Sequence, residues 1–126
     1  MTQPLALIIE DDEKLAAIFA EALKRAEFEI EIAQDGKVAL AKLSDLIPDL
    51  VVLDLHLPEV SGKDILYRIR GDSRLAETRI MITTADPALA DGLREDADLA
   101  LVKPISFSQL YSLASRLRPP DIIGID

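Results

Sequence analysis

The apolar positions of this chain fall in short blocks, and the period changes from one block to the next. Leu5-Ala6-Leu7-Ile8-Ile9 is an uninterrupted apolar run ending in acids and predicts a first strand. Leu15, Ile18, Phe19, Ala22, Leu23 and Ala26 follow at helical spacing as one apolar stripe, with Asp11 or Asp12 placed to cap the helix. Phe28 to Ala33 alternates with period two, the mark of a half-exposed strand near a sheet edge. Asp35-Gly36 opens a second helix carrying Val38, Ala39, Leu40 and Leu43, which Pro48 ends. Leu50-Val51-Val52-Leu53 is apolar on both faces and runs into Asp54, as a strand of a buried parallel sheet would.

Pro58 to Gly62 reads as a loop, and Gly62 to about Arg70 as a third helix with Ile65, Leu66 and Ile69 inward. Arg79 to Thr84 is a fourth strand ending on two hydroxyls. Between Ala85 and Asp98, Pro87, Gly92 and five acids leave a weak fourth helix. Leu99 to Val102 is the fifth strand, and Ser106 caps a last helix buried through Phe107, Leu110, Ala114 and Leu117. Five strands alternating with five helices predict βαβ units with right-handed crossovers, and so a single doubly wound parallel sheet with helices on both faces.

Composition narrows the picture. A chain of 126 residues with 49% hydrophobic but only 4% aromatic residues can build one domain whose core rests on Ala, Leu, Ile and Val. With no cysteine and one histidine, disulfides and Cys- or His-rich metal sites are excluded. No apolar run reaches a membrane span and the first residues lack a signal-peptide layout, so a cytoplasmic protein without membrane contact is expected. The net charge of −9 repels phosphate backbones and predicts no direct nucleic-acid binding.

In a parallel sheet all strands end on one edge, where open α/β sheets bind ligands. That edge gathers Glu10 and Asp11 from strand 1, Asp54 from strand 3, Thr84 from strand 4 and Lys103 from strand 5. Singly, each has a plain reading: helix-start acids, a turn cap, a local hydroxyl, a solvated lysine. Jointly they describe a phosphoryl-transfer site. Three converging carboxylates repel one another unless a hard cation such as Mg²⁺ joins them. Asp54 would be the nucleophile, Thr84 a hydrogen-bond donor, and Lys103 a charge on the transferring group.

The pieces Ile8-Ile9-Glu10-Asp11-Asp12, Val51 to Pro58 with Gly62, Ile82-Thr83-Thr84-Ala85 and Val102-Lys103-Pro104, in that order, resemble the receiver domain of two-component response regulators. The resemblance covers Leu5 to about Leu117. It implies a flavodoxin-like fold with strand order 2-1-3-4-5, a receiver over residues 1–118, and a tail or linker start at 119–126. It implies that Asp54 accepts a phosphoryl group from a histidine kinase or histidine phosphotransfer protein. Glu10, Asp11, Asp54 and the backbone carbonyl of His56 would hold Mg²⁺. Thr84 and Lys103 would contact the phosphoryl group, the Lys103-Pro104 bond would be cis, and an unknown downstream protein would read the result.

Three features depart from that family. The position usually held by Tyr or Phe, three residues before the lysine, is Ala100, and the Phe that usually follows the proline is Ile105. The stretch from Thr84 to Lys103 is about one helical turn short. All three lie on the usual output face, which predicts intact phosphorylation chemistry with an altered readout. Two other classes compete. One is a phosphorylation-independent pseudo-receiver. The other is a Mg²⁺-dependent phosphohydrolase of the haloacid-dehalogenase type, which needs a second acid where His56 stands. His56 itself reads as an exposed polar residue, or as an influence on dephosphorylation.

Overall fold

The computed structural model describes residues 3–120. Its strands are β1 (Leu5–Ile9), β2 (Glu29–Ala33), β3 (Leu50–Asp54), β4 (Arg79–Thr84) and β5 (Leu99–Val102). All pair in parallel, in the order β2-β1-β3-β4-β5. The helices are α1 (Glu13–Arg25), α2 (Gly36–Asp45), α3 (Gly62–Arg70), α4 (Pro87–Gly92) and α5 (Phe107–Leu117). This is the predicted fold class and strand order. Residues 121–126 of the expected tail lie outside the described residues.

Successive side chains of a strand point to opposite faces, so each strand feeds two cores. Leu7, Ile9, Val51, Leu53, Ile80 and Ile82 pack against α2, α3 and α4 through Ala39, Leu43, Ile65, Leu66, Ile69 and Ala90. Ala6, Ile8, Val52 and Met81 pack against α1 and α5 through Phe19, Leu23, Leu110 and Ala114. Burying a side chain of this size contributes about 1.5–3 kcal/mol. β3, apolar over four positions, is buried along its whole length, while β2 at the edge keeps its glutamates outward or half-buried.

The helices start where short polar side chains satisfy otherwise unpaired amides. Asp12 accepts from Leu15 N–H, Asp35 from Val38 N–H, Ser61 from Asp64 N–H and Ser106 from Gln109 N–H. Of the two candidate caps for α1, then, Asp12 is the one used.

Four details differ from the sequence reading. Ile18, expected in the buried stripe, is 46% exposed. The face α1 buries centres on Ala16, Phe19, Ala20 and Leu23, and Ile18 lies about 100° around the helix from Phe19. α2 ends at Asp45, before Pro48, because Leu46 already turns extended. A 3₁₀ turn at Ser73–Leu75, capped by Asp72, tucks Leu75 into the core. α4 forms, but as only six residues, started by Asp86 as cap with Pro87 just inside it.

Candidate functional site

The carboxyl edge of the sheet brings the predicted residues together, and local chemistry fixes each one. Glu10 follows β1 and is almost fully buried. Its amide donates to Ala33 O, and its Oε2 accepts from Asp12 N–H at 3.2 Å. Asp12 is occupied as the helix cap, and the exposed Asp11 faces the same cluster with a carboxylate oxygen. Asp54 ends β3, its side chain only 3% exposed. The chain turns immediately, and His56 N–H donates to Asp54 Oδ1 at 3.0 Å, orienting the carboxylate.

That turn depends on Gly62. A Cβ there would stand 2.3 Å from Asp54 O and 2.6 Å from Leu55 Cα, so only glycine lets α3 begin against the end of β3. Lys103 leaves β5 just before a cis Lys103-Pro104 bond, as expected. Its Nζ lies 3.1 Å from Glu10 Oε1 and 3.5 Å from Asp54 Oδ2.

The electrostatics are unbalanced. One lysine serves two buried carboxylates, while Asp11 approaches from the solvent side. Burial pushes the Glu10 carboxyl up to about 7, against the pull of Lys103 and the Asp12 amide, and the Asp54 carboxylate adds to the rise. Lys103 goes up as well: burial opposes its charge, but Glu10 and Asp54 together outweigh it. The two partners differ because the ammonium is divided between two acids. Carboxylate oxygens of Glu10, Asp11 and Asp54 lie within 4.8 Å of one another. Hard oxygen donors at that separation, with one side open to water, fit a divalent cation of the Mg²⁺ type.

Thr84 is fully buried at the end of β4. Its Oγ1 accepts from Asp86 N–H at 3.0 Å and lies 2.7 Å from His56 Nε2. The expectation of an exposed His56 therefore holds for the residue as a whole, but its ring is engaged. Thr83 pairs in register with Asp54, and its buried hydroxyl has no partner among the described residues. Ala100 is buried beside Ile82 in the core under α4.

Sequence reasoning missed the cap role of Asp86 and the engagement of the His56 ring. The first was signalled by a short polar side chain two or three residues from its amide partners. The second joins residues 28 apart in sequence, and no local pattern announces it.

With this geometry in view, comparison with known proteins is direct. The model of the response regulator receiver domain family matches residues 6–115. The transcriptional regulatory protein TrcR of Mycobacterium tuberculosis is 35% identical over 89% of this chain and 43% of its own length. The DNA-binding dual master transcriptional regulator RpaA of Synechocystis is 34% identical over 86% of this chain and 46% of its own. The chain thus spans about half the length of the curated relatives it matches. A CheY-like response regulator receiver domain from Methylobacillus flagellatus superposes with a TM-score of 0.82 at 26% identity, covering 93% of this chain and 100% of that one. Relatives named for DNA binding give the charge-based expectation of no nucleic-acid contact no support. No helix among the described residues is long and apolar enough to cross a membrane. Receiver domains are signalling modules of two-component systems, and this chain belongs to the response regulator receiver domain family.

Proposed function

We propose that this chain is a phosphoacceptor that takes a phosphoryl group from the phosphohistidine of a histidine kinase or a histidine phosphotransfer protein. The observation that carries the reading is the buried Asp54 carboxylate, 3.5 Å from Lys103 Nζ and clustered with Glu10 and Asp11. A carboxylate oxygen of Asp54 attacks phosphorus, the P–N bond breaks, and the histidine nitrogen leaves with the electron pair. The product is an acyl phosphate on Asp54. Lys103 follows the charge onto the phosphoryl oxygens, and Thr84 donates its hydroxyl to one of them. His56 N–H and Lys103 hold the attacking carboxylate in place before transfer.

Glu10, Asp11, Asp54 and the backbone carbonyl of His56 would hold Mg²⁺. Bound there, the ion neutralises charge on the transferring phosphoryl group. Residues 1–118 form the receiver unit. The output partner differs in its contacts from those of ordinary receivers, because Ala100 supplies no ring and α4 is short. Relatives named as transcriptional regulators suggest DNA-linked output for the whole protein.

The test is incubation with acetyl phosphate and Mg²⁺, read by intact mass, with Asp54→Asn as control. A gain of one phosphate in the wild type alone is expected. No gain would leave the pseudo-receiver reading, and turnover of a phosphate ester would instead favour a hydrolase.

A further inference from the structure

We infer that the His56 side chain is a positioning residue that holds the Thr84 hydroxyl and has to release it when Asp54 carries a phosphoryl group. This rests on the phosphoacceptor reading above. Threonine has a single hydroxyl proton to give. Thr84 Oγ1 already accepts from Asp86 N–H at 3.0 Å, and His56 Nε2 stands 2.7 Å away. A contact of that length suits a hydrogen bond given by either group, and in the inferred arrangement Thr84 is the donor and His56 Nε2 the acceptor, with the ring proton on Nδ1.

The same proton is the one Thr84 would give to a phosphoryl oxygen on Asp54, so the imidazole and the phosphoryl group compete for it. The two competitors differ in freedom. Thr84 is fully buried at the end of a central strand, whereas His56 is exposed and can swing into water. The ring that moves on phosphorylation is then at position 56, on the β3 side of Thr84, while position 100 on the β5 side carries only a methyl group. Charge transfer at Asp54 thereby becomes a change of surface beside the site, made by a residue outside α4.

His56 is the chain's single histidine, so its ring nitrogens give unambiguous NMR signals. The full chain, labelled with ¹⁵N-histidine, is recorded in mildly alkaline buffer before and after Mg²⁺ with beryllium fluoride, a phosphoryl mimic. In parallel, intact mass is read after acetyl phosphate. Before addition the ring should be the Nδ1–H tautomer with Nε2 shifted as a hydrogen-bond acceptor. After addition it should show the mixed tautomers of a free, solvated imidazole.

In addition, His56→Ala should bind beryllium fluoride about fivefold more tightly, the equivalent of one neutral hydrogen bond no longer competing. The same substitution placed in Thr84→Ala should leave the affinity unchanged, which a merely structural histidine would not do. An Nε2–H tautomer at the start, a ring signal indifferent to the bound mimic, or equal affinities in wild type and His56→Ala would each overturn the inference. Absence of both mass gain and mimic binding would overturn the phosphoacceptor reading itself, and this inference with it.

Discussion

The two edges of the sheet handle charge in opposite ways. At the amino edge, one acid, Asp98, accepts from Arg70 at 2.9 Å, from Arg79 at 3.1 Å and from the Ile80 amide at 2.7 Å. At the carboxyl edge, one lysine is shared by two buried acids, Glu10 and Asp54. The threonines repeat the contrast. Thr78 is buried at the amino edge and donates to Pro48 O at 2.7 Å, while Thr83, buried at the carboxyl edge, has no partner for its hydroxyl among the described residues. Buried polar groups in a finished structure are normally satisfied. An edge where they are not stores unfavourable energy that a ligand can relieve. The amino edge ties β4, β5 and α3 together, and the carboxyl edge is kept short of positive charge.

The largest effect that tests this contrast is at the amino edge. Asp98→Ala should destabilise the fold by about 2 kcal/mol, since it leaves two guanidinium groups and an amide without their shared acceptor. In the folded chain, burial pushes the Asp98 carboxyl upward, but the Ile80 amide, Arg79 and Arg70 together outweigh it and hold it below its ordinary 3.8. The unfolded chain therefore takes up the proton first as pH falls. The stability Asp98 contributes is full above about that value and is lost as pH drops through the lower, folded one. Urea unfolding of wild type and Asp98→Asn should accordingly differ near neutrality and converge in acid. A constant difference across the range would show that the carboxylate charge is not what holds this edge.

The next effect has the opposite sign. Asp54→Asn removes one of the two buried acids that share Lys103, so in metal-free buffer it should stabilise the fold by about 1 kcal/mol. The urea midpoint should rise with an unchanged slope. Mg²⁺ should raise the wild-type midpoint and raise that of Asp54→Asn much less, because the variant lacks a charged oxygen for the ion. If Asp54→Asn proved as destabilising as Asp98→Ala, both edges would be structural and the contrast between them would fail.

How far the sequence reaches follows the same division. The strands were legible because apolar runs such as Leu50 to Leu53 have one physical explanation, burial on both faces of a parallel sheet. The site was legible because a parallel sheet must bring strand ends together, whatever lies between Glu10 and Lys103 in the chain. What failed was anything set by geometry finer than period. Ile18 falls at the margin of a helical stripe, where a few degrees decide burial. Asp98 counted as one more acid in a weak helix, because its arginine partners lie 19 and 28 residues away. His56 reads as an exposed polar residue or an influence on dephosphorylation, and nothing local shows that Thr84 comes within 2.7 Å of its ring.

The smallest effect separates burial from location. Lys37, at the start of α2, and Glu59, in the loop after β3, form an ion pair of 3.6 Å that also sits at the carboxyl edge. Their side chains are 74% and 65% exposed, so water already solvates both charges. An exposed pair of this kind is screened by solvent, and ordering two long side chains offsets much of its attraction. Lys37→Gln should therefore change stability by no more than about 0.5 kcal/mol, with the urea slope unaltered. Added salt should leave even that small difference weaker. A loss as large as that of Asp98→Ala would mean that position on the edge, rather than removal from water, sets the energy of its charges. The small value expected instead ties the imbalance at Glu10, Asp54 and Lys103 to their burial, the property that makes an incoming cation or phosphoryl group able to relieve it.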